Sequence, residues 1–165
     1  MSGATESMDL VLELEIPARP EFIAVVRLVV SAAALARRNL PEQRIDDLKL
    51  AVSEACTNAI EAHGAAATED HVRIRVYEGP ERFEVCVEDR GAGFDPDALP
   101  AHPPVTDPER LNFERGLGIP LIRTLVDDAE FWSSPQGTSV HLILYGEPAE
   151  DIPPDDAVGL RVEGT

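Results

Sequence analysis

Cations are scarce in this chain. Of its 165 residues one is lysine, Lys49, and thirteen are arginine, against 31 Asp and Glu, for a formal net charge of −17. Binding nucleic acid needs a basic face to neutralise phosphate, so the charge balance argues against that class of partner. It suits a soluble protein that meets basic partners, and solubility explains it more simply than mimicry of DNA. Cysteine is almost as rare. Cys56 and Cys86 both sit within apolar runs, where they read as small core residues rather than as a disulfide or a zinc site. The four histidines, His63, His71, His102 and His141, show no metal-ligand spacing. There is no long apolar run for a membrane span and no basic-then-apolar segment at the N-terminus, so the default location is the cytoplasm.

What is present is enough for one domain with a proper core: 44% of the residues are hydrophobic. Met1 to Met8 are small and polar and are read as disordered. From Asp9 the residues Leu10, Leu12, Leu14 and Ile16 alternate with polar ones as a strand does, closed by Pro17 and Pro20. Phe22, Val25, Val26, Val29, Val30, Ala33 and Ala34 then recur at helical spacing, ending at the cations Arg37 and Arg38. Pro41 is placed to open a second helix with the stripe Ile45, Leu48, Val52, Ala55 and Ala59, stopped by Gly64. Two alternating runs, Val72 to Val76 and Phe83 to Val87, are joined by Glu78-Gly79-Pro80-Glu81 and predict a hairpin with one covered and one wetter face. A loop rich in Pro, Asp and His follows from Asp95 to about Glu114 and reads as a lid. A short helix from Gly118, a strand near Phe131 and a last strand from Thr138 to Tyr145 complete residues 9–146. Beyond Gly146, acids and prolines describe a disordered tail. The expected fold is α+β: a two-layer sandwich with a largely antiparallel sheet backed by about three helices.

The second helix contains the stretch around which the rest is organised, Leu50-Ala51-Val52-Ser53-Glu54-Ala55-Cys56-Thr57-Asn58-Ala59-Ile60. Apolar side chains point in nearly every direction, as in a buried helix. Glu54 and Asn58 lie one turn apart on one face. Alone, Glu54 reads first as a capped or paired core carboxylate, ahead of any catalytic role. Three further turns change its meaning. Asp89-x-Gly91-x-Gly93 ends a strand, Gly116-x-Gly118 opens a helix ahead of Pro120, and Gly137-Thr138 precedes the last strand. Glycines let a backbone approach a ligand closely, and a helix N-terminus offers free N–H groups to phosphate. Each turn by itself is an ordinary one; their order is specific.

That order resembles the nucleotide-binding boxes of the GHKL (histidine kinase-like) ATPase superfamily, and most closely its anti-sigma-factor serine/threonine kinases. The phrases Ser-Glu-Ala-Cys-Thr-Asn-Ala-Ile and Glu-Arg-Gly-Leu-Gly-Ile are similar to that family's wording. The resemblance covers roughly Leu10 to Tyr145. It implies that the chain binds ATP with Mg²⁺: Asn58 as the metal ligand, Asp89 on the adenine amino group, Gly91 and Gly93 packed against base and sugar, and Thr138 supporting the adenine end. Gly116, Leu117 and Gly118 present N–H groups to phosphate. Arg115 either reaches a phosphate or stands as a solvated cation. Glu54 matches the family's general base. Many relatives carry a His four residues after the Asn; here that place is Ala62, with His63 next. The implied partners are a sigma factor, held by the kinase, and an anti-anti-sigma protein phosphorylated on Ser or Thr, with homodimerisation usual. The alternative is a GHKL partner-switch module that binds nucleotide without transferring phosphate. Retention of Glu54 with Asn58 favours the enzyme, because a pure binder needs no base.

Overall fold

The computed structural model describes residues 7–37, 40–63, 70–90, 118–134 and 137–146. In order these form β1 (Asp9–Pro17), a 3-10 turn (Pro20–Phe22), α1 (Ile23–Ala36), α2 (Glu42–His63), β2 (His71–Glu78), β3 (Arg82–Asp89), α3 (Gly118–Leu125), β4 (Asp128–Ser134) and β5 (Gly137–Tyr145). The five strands make one sheet in the order β1-β2-β3-β5-β4, every neighbouring pair antiparallel. The expected α+β sandwich is what forms. The lid from Asp95 to Glu114 and the tail after Gly146 lie outside the described residues, as does the N-terminal segment up to Glu6.

Alternation in the sequence becomes two unlike sheet faces. Ile16, Val72, Ile74, Val76, Phe83, Val85, Val87, Val140, Leu142 and Leu144 are all buried and share one core with the helices. The opposite face carries Glu13, Glu15, Arg73, Arg75, Glu84 and Glu88, cross-linked by ion pairs such as Arg75–Glu13 at 2.8 Å and Arg75–Glu88 at 3.0 Å. α2 is the middle helix: it packs on β3 and β5, with α1 and α3 both against it.

Two arginines fix this layer to the sheet. Arg44, in the first turn of α2, donates to the Leu125 carbonyl ending α3 and to Asp127 at 2.6 Å, whose other oxygen accepts from the Tyr145 N–H. Arg37, whose side chain is only 4% exposed, donates from its two Nη atoms to the Arg82 and Pro80 carbonyls at 2.7 and 2.9 Å. The cation at the end of α1 thus pins the β2–β3 turn. Each charge-assisted bond is worth about 1.5–3 kcal/mol, so Arg37→Met should lower stability by about 2–4 kcal/mol by leaving two carbonyls short of a donor. Urea melts would show a lowered midpoint at unchanged slope; a midpoint within experimental error of wild type would refute the clamp.

Candidate functional site

α2 is less buried than the sequence implied. Ala51, Val52, Ala55, Cys56 and Ala59 face the core, but Leu50 is 51% exposed, and Ser53, Glu54, Thr57 and Asn58 are half-buried beside it. The hydroxyls of Ser53 and Thr57 are spent on the carbonyls four residues back. The Glu54 carboxylate and the Asn58 amide have no bond to any described residue. Glu54 is half-buried rather than enclosed in the core, and no described residue pairs with it: a face one turn long presents a carboxylate and an amide to whatever lies beside α2.

Strand register and helix length place three other parts of the fold relative to α2. His63 ends α2 and His71 begins β2, whose start is registered against the end of β3 through Arg73 and Glu88. The C-terminal part of α2 and Asp89 therefore lie at the same end of the molecule. The Arg44–Leu125 contact makes α3 antiparallel to α2. Eight helical residues rise about 12 Å, which brings the α3 N-terminus at Gly118 back along α2 towards Val52. Asp89 and Thr138 are direct partners across β3 and β5, both buried, on the helix side of the sheet.

Gly137 makes that pairing possible. Its φ is +148°, and a Cβ there would come within 2.0 Å of the Asp89 carbonyl oxygen and 2.8 Å of Arg90 Cα. Only glycine tolerates both the dihedral and the approach. Beside it, the buried Thr138 hydroxyl has no hydrogen-bond partner among the described residues. An unmet buried hydroxyl costs about 1–3 kcal/mol, so it fits a place where a ligand's polar atom arrives. Thr138→Val should raise the melting temperature of the ligand-free protein while weakening ATP binding. A thermal melt and calorimetry on the same sample check both halves, and equal ATP affinity would remove Thr138 from the site.

Of the other sequence-derived site residues, Gly118 opens α3 as expected. Gly91, Gly93, Arg115, Gly116 and Leu117 lie outside the described residues. A cavity of about 520 Å³ touches Asp89 and Thr138, but its remaining walls, among them Arg73, Glu88, Trp132 and Ser139, belong to the open sheet face or its end. It contains neither Glu54 nor Asn58, so it is a separate hollow behind the pairing of Asp89 with Thr138.

Sequence reading missed a polar cluster on that open face. Cys86 was assigned to the apolar core; it is buried, but under polar neighbours. Its sulfur lies 3.4 Å from Ser139 Oγ, 3.6 Å from His141 Nε2 and 3.8 Å from Glu88 Oε1. His141 Nδ1 meets Glu84 at 2.6 Å, and Arg82 donates to the other Glu84 oxygen at 2.6 Å. Contact with Cys86, then with Glu84, holds His141 up at about 10, while its bond to His141 and then Arg82 keeps the Glu84 carboxyl below its usual range. Glu130, opposite His141 on β4, adds a further carboxylate in register. The signal was available in the period-2 spacing, which puts residues 84, 86, 88, 139 and 141 on one face.

The sign for stability follows by linkage. With a folded value above the ordinary 6.5, His141 stabilises fully below about pH 6.5 and loses that contribution as pH rises through about 10. Glu84 works oppositely: its contribution is present above about 4.5 and is lost as pH falls through its lowered value. His141→Asn should therefore flatten the decline of melting temperature between pH 6.5 and 10. An unchanged slope would show that His141 is not the group responsible.

The comparisons with known proteins agree with this architecture. Residues 16–144 match the model of the histidine kinase-like ATPase domain. The serine-protein kinase RsbW of Bacillus velezensis is 37% identical over 138 residues, covering 81% of this chain and 84% of that protein. RsbW of Bacillus pumilus is 40% identical over 133 residues, covering 76% and 79% respectively, and RsbW of Bacillus subtilis 36% over 138 residues, covering 81% and 84%. Among solved structures, the RsbU and RsbW domains of a Mycobacterium tuberculosis protein superpose with a TM-score of 0.56 at 17% identity, over 84% of this chain and 32% of that longer one; this shows the fold alone. Taken with the antiparallel sheet and the boxes at the ends of α2, β3, α3 and β5, they show that the chain belongs to the histidine kinase-like ATPase domain family, in its branch of RsbW-type serine-protein kinases.

Proposed function

We propose that this chain is an ATP-dependent anti-sigma-factor kinase which binds a sigma factor and phosphorylates an anti-anti-sigma antagonist on Ser or Thr. The observation that carries the reading is the half-exposed Glu54 carboxylate, bonded by no described residue, one turn before Asn58. Phosphoryl transfer asks a protein mainly for positioning and charge stabilisation, with one group to orient the attacking hydroxyl and take its proton. Glu54 serves as that group. Asp89 accepts from the adenine amino group, Thr138 supports the same end, and the N–H groups from Gly116 to Gly118 hold phosphate with Arg115. Gly91 and Gly93 let the chain close on base and sugar.

Among the described residues no cluster of three or more His, Cys, Asp or Glu forms a metal cage. Mg²⁺ needs none, because it prefers one or two protein oxygens together with substrate phosphates and water. The Asn58 amide oxygen is a donor of that kind, and it leaves the Glu54 carboxylate to act as the base. The ion would supply charge neutralisation on the phosphates. We place the protein in the cytoplasm as a homodimer; the acidic composition supports solubility, and no described helix is long and apolar enough to cross a membrane.

The test is capture of partners from a lysate of the source cells with and without ATP, with phosphosite mapping of any small protein that is recovered. Recovery of a sigma factor, together with a Ser- or Thr-phosphorylated antagonist only when ATP is present, is the expected result. A partner recovered but never phosphorylated, under conditions where ATP binds, would leave a binding switch and exclude the kinase.

A further inference from the structure

The open sheet face holds a group of side chains that nucleotide chemistry does not use. Cys86, Ser139, His141 and Glu84 stand in the order nucleophile, hydroxyl, imidazole and orienting carboxylate, and Arg82 fixes the last. Each link is a contact between side chains: Sγ to Ser139 Oγ at 3.4 Å, Ser139 Oγ to His141 Nε2 at 2.8 Å, and His141 Nδ1 to Glu84 at 2.6 Å. A nucleophile beside an imidazole that a third group orients is the arrangement that activates side chains for attack. With Glu84 taking Nδ1–H, the charged ring points Nε2–H into the space shared by the sulfur and the Ser139 hydroxyl. Negative charge that develops there meets two donors already in place.

Cys86 is 2% exposed and does not itself line the hollow behind Asp89, which reaches it only through its neighbours. The walls of that hollow include Glu88 and Ser139, the same two residues whose oxygens lie 3.8 and 3.4 Å from the sulfur. A molecule the size of a peroxide in that cavity is one side chain away from Sγ. Cys56 offers the internal contrast: fully buried among apolar residues, its thiol is pushed up to about 12 by burial and has no polar neighbour among the described contacts.

We propose that Cys86 is the reactive thiol of this protein, a site of reversible oxidation to sulfenic acid by hydroperoxides entering through the open-face cavity. The sulfur attacks one peroxide oxygen and an S–O bond forms as the O–O bond breaks. The departing hydroxide takes the Nε2 proton of His141 and leaves as water. The thiol proton replaces the one that His141 gave up. Sulfur is oxidised, peroxide is reduced, and the sum is thiol plus hydrogen peroxide to sulfenic acid plus water. A reducing thiol restores the starting state through a mixed disulfide. The added oxygen needs room between Ser139 and His141 of β5, beside Cys86, which stands three residues before Asp89 on β3.

The experiment uses the wild-type chain with hydrogen peroxide, sulfenic-acid trapping by dimedone, and peptide mapping of both cysteines, folded and in urea. The expected result is dimedone on Cys86 at least ten times faster than on Cys56, and faster in the folded protein than in urea. His141→Asn should lower the Cys86 rate at least tenfold. Glu84→Gln, which keeps the size of the side chain, should lower it in the same direction, and each variant's circular dichroism reports whether it is folded. Cys86 labelled no faster than Cys56, or slower in the folded chain than in urea, would overturn the proposal. So would folded His141 and Glu84 variants that react at the wild-type rate.

Discussion

Replacing Glu54 by Gln should reduce phosphorylation of the antagonist by about 10²–10⁴-fold, the usual contribution of a general base, while ATP and sigma-factor binding stay intact. Gln keeps the size and hydrogen-bonding reach of Glu and removes the basicity. Because the carboxylate is half-exposed and no described residue bonds to it, the substitution should cost little stability, within about 0.5 kcal/mol. A structural carboxylate would behave in the opposite way, with a lower melting temperature and normal turnover in the folded fraction. Single-turnover phosphorylation and a thermal melt on the same preparation separate the two. A Glu54→Gln protein that transfers phosphate at the wild-type rate ends its assignment as the base.

Gly137→Ala should be the most damaging single substitution among the described glycines. The new Cβ would stand 2.0 Å from the Asp89 carbonyl oxygen and 2.8 Å from Arg90 Cα. Both are backbone atoms, one at the end of β3 and one just beyond it, and have no rotamer to move into. The dihedral of +148° adds its own cost. We expect a loss of about 3–5 kcal/mol, a fall in melting temperature on the order of 10–15 °C, and loss of ATP binding in whatever remains folded, because Asp89 and Thr138 no longer align. Gly79→Ala is the control. There the nearest atom is the Met8 sulfur at 2.6 Å, the far part of a flexible side chain, so the effect should stay below about 1 kcal/mol. Equal stability of the two variants would show that the strand approach is looser than its geometry.

The sequence carried the fold well because its elements obey simple periods. Alternation in β1, β2, β3 and β5 and the apolar stripes of α1 and α2 each settle one face, and the antiparallel sheet follows. The order of the strands was not legible. That β5 lies between β3 and β4 depends on pairings between residues far apart in the chain, which no local pattern records. Within the site, Glu54 and Asn58 were visible as a helical pair, but the burial of Glu54 was misjudged. Ala51, Val52, Ala55, Cys56 and Ala59 make the stretch look uniformly apolar, and only the positions of α1 and α3 decide which side stays open. Gly137 looked like an ordinary turn residue because its constraint lies in the carbonyl of Asp89, across the sheet. Cys86 was placed in the core because its neighbours in sequence, Val85 and Val87, are apolar; its neighbours in space are not.

The place of β5 has a consequence for how the protein is made. Asp89 and Thr138 stand side by side but are roughly fifty residues apart along the chain, so closing that loop is a slow, late step in folding. Synthesis delivers β3 long before β5, and until Gly137 to Tyr145 have left the ribosome, β3 and β4 each present an unpaired edge. A nascent chain cannot pair Asp89 with Thr138, the proposed adenine end, before this strand inserts. A ligand held by both residues should therefore stabilise only chains whose domain is complete, and not any shorter or unpaired form.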